Sequence, residues 1–233
     1  MRLFTRKNKL ISIVREDCLI LPVLNRFGIQ PGLQDYTIEE ICTTKNINID
    51  FFLAIINTYL YPHYFPQKEL TSFNPELIIS YLLKTHEYYT EYMIPALDKS
   101  FQSLLDNTSS ESDIHLIQKL YENFKHEFLA HNQSEEDSLF PYIKKMMLSP
   151  SIADGRLTHE TFEKEHLQID DKINDLKNLL LKYIQSDYDT NLYNEFICKL
   201  SILEKDSHDH SRIEDAILLP IARNLEKDIR NDN

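Results

Sequence analysis

The segment His131-Asn132-Gln133-Ser134-Glu135-Glu136-Asp137-Ser138-Leu139-Phe140-Pro141 returns near the C-terminus as His210-Ser211-Arg212-Ile213-Glu214-Asp215-Ala216-Ile217-Leu218-Leu219-Pro220. Both copies read histidine, three residues, glutamate, an acid, two residues, an apolar pair and proline. Four residues along a helix advance by ~400° and rise ~6 Å, so each histidine and its glutamate project from one face, one turn apart. That is chelating geometry, and its duplication points to a site built from two matching halves.

Two upstream histidines extend the pattern. His86 lies 45 residues before His131, and His166 lies 44 residues before His210. If each pair belongs to an antiparallel helix hairpin, with turns near Asn107 to Asp113 and Ser186 to Thr190, the two arms of each hairpin are nearly equal in length. All four imidazoles then fall at nearly one level of a four-helix bundle, with Glu135 and Glu214 beside them.

Composition supports helices and narrows the function. Only three glycines occur among 233 residues, where average usage would give roughly sixteen, and hairpin-rich β folds need glycine in their turns. The formal charge of −12 argues against a nucleic-acid partner, because phosphate contacts require a positive face. Cys18, Cys42 and Cys198 are odd in number and far apart, which indicates neither a disulfide framework nor a paired-cysteine metal site. Arg15-Glu16-Asp17 interrupts the apolar stretch after the basic N-terminus, and no run of ~20 apolar residues follows, so neither a signal peptide nor a membrane span is expected. A cytoplasmic protein is the expectation.

Along the chain, residues 1–60 read as a small helical domain. Ser12 to Glu16 is one short helical piece; Asp17 caps a second, which Gly28 closes. Thr37-Ile38-Glu39-Glu40 is a capping box, and Asp50 is placed to cap Phe51 to Leu60. Residues 61–73, with two prolines and no apolar periodicity, read as a linker. Asn74-Pro75 then opens the bundle, residues 74–233, with a cap before a proline in the first helical position.

The segments Asn25-Arg26-Phe27-Gly28-Ile29, Thr37-Ile38-Glu39-Glu40-Ile41-Cys42 and Ile49-Asp50 resemble the small N-terminal domain of the Repair of Iron Centers di-iron proteins. Members of that family often carry adjacent cysteines just after the Phe-Gly-Ile segment. This chain has Gln30-Pro31-Gly32-Leu33 there instead, so a thiol function of the domain has to come from a partner or be absent.

The four bundle helices are expected at 75–107, 113–147, 158–185 and 190–227. Their apolar stripes run through Leu82, His86, Tyr89, Met93 and Ala96; Ile117, Phe124, Phe128, His131, Glu135, Leu139, Tyr142 and Met146; His159, Phe162, His166, Ile169, Ile173, Leu176 and Leu180; and Phe196, Leu200, Leu203, Ser207, His210, Glu214, Ile217, Ile221 and Leu225. Each histidine of the pattern occupies an interior position, and short turns imply up-down-up-down connectivity. Pro95, Pro141 and Pro220 are expected to kink their helices; the last two, six residues beyond their glutamates, either shape a channel or bend the helices inward.

A lone histidine on an apolar face is usually a satisfied core residue, but six polar groups at one level are different. Buried without partners, each costs several kcal/mol, and a cation removes most of that penalty by making each group a ligand. Two carboxylates and four neutral imidazoles divide into two metals with two histidines each and bridging carboxylates, a set that suits iron, manganese or zinc and fits redox-active iron best. Six protein ligands leave positions for an oxo or hydroxo bridge and for O2, NO or peroxide. A ferritin-type site needs two Glu-x-x-His motifs, and only Glu163 to His166 supplies one; Glu163 is a candidate addition. Glu136 and Asp137 either orient an imidazole N–H or are solvated. His208 reads as surface, His159 as core or bundle end, and Tyr88, Tyr89 and Tyr92 as core or rim; His126, near the ligands in sequence, carries a weaker reading.

The His-x-x-x-Glu repeat with two upstream histidines resembles the hemerythrin-like cation-binding domain over residues 74–228. The resemblance implies the ligand set His86, His131, Glu135, His166, His210 and Glu214. Oxygen-carrying hemerythrins have a fifth histidine that has no counterpart here, which favours the Repair of Iron Centers branch. The implied function is repair or protection of iron–sulfur and iron centres under nitrosative or oxidative stress, by iron donation or by binding NO or an oxygen species, with damaged iron–sulfur proteins as acceptors. The alternatives are an O2, NO or iron sensor or store, a di-iron NO or peroxide reductase, and a purely structural bundle.

Overall fold

The computed structural model describes residues 3–107, 111–148, 159–183 and 188–231; the side chains of 111–114, 159–163, 183 and 228–231 fall outside this description. The described chain is all-α, an up-down-up-down helical bundle preceded by short helices, with no strand beyond an isolated bridge between Lys9 and Thr37. It divides into two compact units, Met1–Thr85 with Arg212–Asn224, and His86–Ser211 with Leu225–Asn233.

The first unit carries α1 (Leu10–Glu16), a 3-10 turn (Cys18–Ile20), α2 (Leu21–Arg26), α3 (Ile38–Thr44), α4 (Ile49–Leu60) and α5 (Gln67–Leu70). Local chemistry sets these boundaries. Asp17 accepts from the Leu19 N–H at 2.8 Å, and Gly28, at φ +70°, closes α2 in the left-handed conformation that glycine adopts without steric cost. The capping box forms as the sequence reads: the Glu40 N–H reaches Thr37 Oγ1 at 3.2 Å and the Thr37 N–H reaches Glu40 Oε2 at 2.7 Å. The cap of α4 is different from the expectation. Asn48, two residues upstream of Asp50, accepts from the Phe51 N–H at 3.0 Å, and Asp50 sits inside the first turn, paired with Arg6. Two extra residues of helix win because Asn48 holds the extended backbone that a cap requires. Phe27, Phe51, Phe52 and Tyr81 form an aromatic cluster with ring centroids 5.0 to 6.3 Å apart.

The bundle helices follow. α6 (Pro75–Tyr88) passes through a π-helical turn (Tyr89–Met93) into α7 (Ile94–Asp106); α8 (Glu111–Ser134) passes through a second (Glu135–Leu139) into α9 (Phe140–Leu148). α10 (His159–Tyr183) is uninterrupted, and α11 (Thr190–Ile213) passes through a third π turn (Glu214–Leu218) into α12 (Leu219–Asn231). Asn74 Oδ1 accepts from the Glu76 N–H at 3.0 Å, starting α6 where Asn74-Pro75 places it. Of the two expected hairpin turns, Asn107 to Asp113 and Ser186 to Thr190, residues 108–110 and 186–187 lie outside the described residues, and the first is shorter than expected because α8 is helical from Glu111. In the second unit Leu97, Phe101, Tyr121, Phe124, Phe128, Ile173, Leu176, Phe196 and Leu200 pack into one buried core. Phe101 stacks on Phe196 at 4.9 Å; each such side chain removed from water contributes about 2 kcal/mol.

Each of the three prolines expected to kink a helix follows a π turn by two residues, Met93 to Pro95, Leu139 to Pro141 and Leu218 to Pro220. A proline lacks the N–H of the ladder and its ring crowds the carbonyl four residues back. Here the wider turn absorbs the defect: the N–H groups of Ile94, Phe140 and Leu219 bond five residues back, to Tyr89, Glu135 and Glu214. The carbonyl that Pro220 leaves without its helical donor, that of Ala216, accepts from the Gln67 side chain of α5 at 2.9 Å, so the stretch read as a linker contains a helix with a definite task. The extra residue also moves the buried stripe by one. Leu97, Ile143 and Ala222 are buried beyond the three π turns, where uninterrupted helical spacing pointed to Ala96, Tyr142 and Ile221.

Candidate metal centre

Helical periodicity turns His86, His131, His166 and His210 inward, and all four are buried, the most exposed being His131 at 7%. The second unit brings these four imidazoles together around Glu135, which is fully buried. The carboxylate divides them into two pairs. Its Oε1 lies 2.8 Å from His131 Nε2 and 3.2 Å from His166 Nε2. Its Oε2 lies 3.2 Å from His86 Nε2 and 3.8 Å from His210 Nε2. The rings of each pair are close, with centroids 4.7 Å apart for His131 and His166 and 4.8 Å for His86 and His210. In both sets, His131, Glu135 and His166, and His86, Glu135 and His210, the candidate ligand atoms fall within 4.8 Å of one another.

Glu214 belongs to the first unit. It stands one turn beyond His210 along the same helix, is fully buried, and opens a π turn just as Glu135 does. The duplication seen in the sequence thus extends to burial and backbone form.

Outer partners fix two of the rings. His86 Nδ1 donates to Glu136 Oε1 at 2.9 Å, and His131 Nδ1 donates to Glu165 Oε2 at 2.8 Å. Of the two acids left open by the sequence, Glu136 orients an imidazole, whereas Asp137 is exposed and accepts from Gln133. Glu165 went unremarked in the sequence, because its position beside His166 places it ~100° round the helix from the ligand stripe. Adjacency to an inward-facing residue is the signal that would have found it, since Glu136 stands beside Glu135 in the same way.

Remaining candidates separate cleanly. His208 is 60% exposed and faces Asp170 at 3.5 Å, and His126 is exposed. Tyr89 is buried against Phe128, with its ring edge-on to His210 at 6.0 Å, while Tyr92 is exposed. The side chains of His159, Phe162 and Glu163 lie outside the described residues.

Electrostatics follow from burial and contact. Desolvation pushes the Glu135 carboxyl up, but hydrogen bonds from His131, His166, His210 and His86 outweigh it and hold the group well below the ordinary carboxylate range. Desolvation lowers His131, yet its bonds to Glu135 and Glu165 leave it raised above the ordinary imidazole value.

The donor set fits a pair of cations. Imidazole nitrogen with carboxylate oxygen is the chemistry of iron, manganese and zinc. Nδ1 of His86 is committed to a carboxylate, which can only accept, so the neutral ring turns an Nε2 lone pair inward, 3.1 Å from His210 Nε2, while the charged ring donates there to Glu135. A cation on each side of Glu135 would take up these lone pairs and leave one carboxylate oxygen for each ion. A pocket of about 250 Å³ bordered by Glu127, His131, Ser134 and Glu165 reaches one side of the cluster.

Among the described residues, no helix is long and apolar enough to cross a membrane. The family model of the hemerythrin HHE cation binding domain matches residues 78–222. No curated protein matches the chain.

Proposed function

The chain belongs to the hemerythrin HHE cation-binding family, and from that premise we propose that it is a cytoplasmic di-iron protein that repairs or protects iron–sulfur and iron centres under nitrosative or oxidative stress. The observation that carries the di-iron reading is the placement of Glu135, with one oxygen facing His131 and His166 and the other facing His86 and His210. The proposed ligands are those four histidines, Glu135 as the bridge, and Glu214. Glu214 enters because it repeats the relation of Glu135 to its own histidine, one turn along the helix, and is equally buried.

When bound, iron supplies one-electron chemistry and an open coordination position for O2, NO or peroxide. The protein's part is to hold the donors. Burial excludes water from the imidazoles, the carboxylate keeps its negative charge against desolvation, and the pocket beside His131 and Glu165 gives a small molecule a way in. Two features favour the repair branch. Four histidines rather than five leave the centre more open, and each ligand glutamate opens a π turn, a form that recurs at functional sites. Damaged iron–sulfur proteins are the proposed acceptors. Gln30 to Gly32, the place at which related proteins carry cysteines, is exposed and thiol-free, so any thiol step uses a partner's sulfur.

The test is elemental analysis of untagged protein purified without added metal or chelator, followed by incubation with a cluster-depleted iron–sulfur protein. About two irons per chain, lost in Glu135→Ala with helicity intact, and recovery of the acceptor's activity are the expected results. Zinc, or no metal in folded protein, overturns the di-iron reading; two irons without transfer to the acceptor and without an NO-bound spectrum overturns the repair role.

A further inference from the structure

His86 and His131, whose outer nitrogens have carboxylate partners, are not on the same side of the centre. His86 belongs to the pair that faces Glu135 Oε2, and His131 to the pair that faces Oε1. Each half of the cluster therefore contains one histidine anchored from behind by an acid. Each acid reaches across to a neighbouring helix, Glu136 at the π turn after α8 to His86 on α6, and Glu165 on α10 to His131 on α8. Each is also the chain neighbour of an inward-facing residue, Glu136 of Glu135 and Glu165 of His166.

We propose that Glu136 and Glu165 are positioning residues, one for each metal position, that set the tautomer and rotation of His86 and His131 so that Nε2 faces the centre as a lone pair. The inference rests on the di-iron reading. Its physical basis is the acceptor-only nature of a carboxylate: an ionised Glu136 or Glu165 can hold an imidazole only by accepting from Nδ1, which turns the opposite nitrogen to the centre and, in the neutral ring, leaves it unprotonated. A charge-assisted bond also makes the ring a stronger donor at Nε2, and loss of such an outer partner typically costs 10- to 100-fold in metal affinity. Both carboxylates are about one-third exposed, so they reach water on the side away from the centre. A rotation about the side-chain bonds of His86 that broke the contact with Glu136 would carry Nε2 away from Glu135; the contact locks the ring against it.

The assignment of one acid to each half gives a specific pattern for the test. Wild type, Glu136→Ala, Glu165→Ala, the double variant and the glutamine counterparts are loaded with cobalt(II) or iron(II), challenged with a chelator, and analysed for retained metal. The expected result is about two equivalents in wild type, about one in each alanine variant, and neither in the double variant. Glutamine can still accept from Nδ1 and restores orientation without charge, so its variants are expected to fall between. The second readout needs no metal: long-range nitrogen NMR of histidine-labelled apo protein reports the tautomers, with His86 shifting from the Nδ1–H form in Glu136→Ala and His131 in Glu165→Ala. Circular dichroism establishes that each variant folds, and if an alanine variant does not, the glutamine variant carries the comparison. Two equivalents and unchanged tautomers in both alanine variants overturn the proposal while leaving the di-iron reading intact. Failure of wild type to hold metal overturns the di-iron reading, and unchanged tautomers in the apo variants then overturn the positioning role separately.

Discussion

Glu135 is a carboxylate that water does not reach, held in its charged form by four imidazoles, and its Oε1 stands 2.8 Å from His131 Nε2. In metal-free protein the two groups set opposite limits on stability. The Glu135 pKa is depressed, so its contribution is present above its ordinary value of 4.5 and is lost as pH falls through the folded value. The His131 pKa is raised, so its contribution is present below its ordinary value of 6.5 and is lost as pH rises through the folded value. The pair therefore stabilises most between those two limits. Glu135→Gln removes it, and the difference in urea midpoint between wild type and variant is expected to be widest near about pH 5.5 and to narrow on either side; a difference constant from about pH 4 to 8 would contradict the coupling. A separate residue-scale prediction concerns thiols. Cys42 is buried and desolvation pushes it up to about 11, whereas Cys18 and Cys198 are exposed. The thiolate is the reactive form, so iodoacetamide at pH 8 is expected to label two cysteines in native protein and the third only after unfolding, read by mass spectrometry.

At the scale of helices, much of the architecture was legible because each helix carries its own start signal and a stripe of the right period. The capping box at Thr37, the cap at Asn74 and the inward turn of His86, His131, His166 and His210 all follow from local rules. What was not legible is where the period changes. Three prolines read as kinks stand two residues beyond π turns, which nothing in a helical wheel reveals, and the stripes are consequently offset at Leu97, Ile143 and Ala222. Glu165 escaped for a related reason: periodicity finds residues that face the centre, and this one faces a neighbouring helix. The π turns carry a stability prediction. Proline in a regular helix interior costs about 3 kcal/mol relative to alanine, but here the wider turn already accommodates the missing N–H. Pro141→Ala is expected to raise unfolding free energy by less than about 1 kcal/mol; a gain near 3 would mean that the strain remains. Asn48→Ala, by removing the cap of α4, is expected to cost about 1 kcal/mol, while Asp50→Ala, which breaks an exposed pair with Arg6, is expected to cost less.

For the whole molecule, the arrangement of donors makes metal binding and stability one measurement. An ion that binds only the folded chain adds about 2.7 kcal/mol of stability at a hundredfold excess over its Kd, and for a chain of 150 to 250 residues each kcal/mol moves the melting temperature by about 2 to 4 °C. Two ions bound independently would each add a step of that size. Glu135 has an oxygen turned to each imidazole pair, whereas His86, His131, His166 and His210 each serve a single pair. His86→Ala is therefore expected to keep one step of metal-induced stabilisation, and Glu135→Ala to keep neither, although both delete one side chain from one cluster. In the metal-free state the order reverses: Glu135→Ala leaves four buried imidazoles without their shared acceptor, while His86→Ala leaves three imidazoles still bonded to the carboxylate, so Glu135→Ala is the less stable apo protein. Differential scanning calorimetry with and without iron(II) under anaerobic conditions checks both statements. Equal metal-induced shifts in the two variants would mean that Glu135 is one ligand among several and that the two halves of the repeat do not meet at a shared carboxylate.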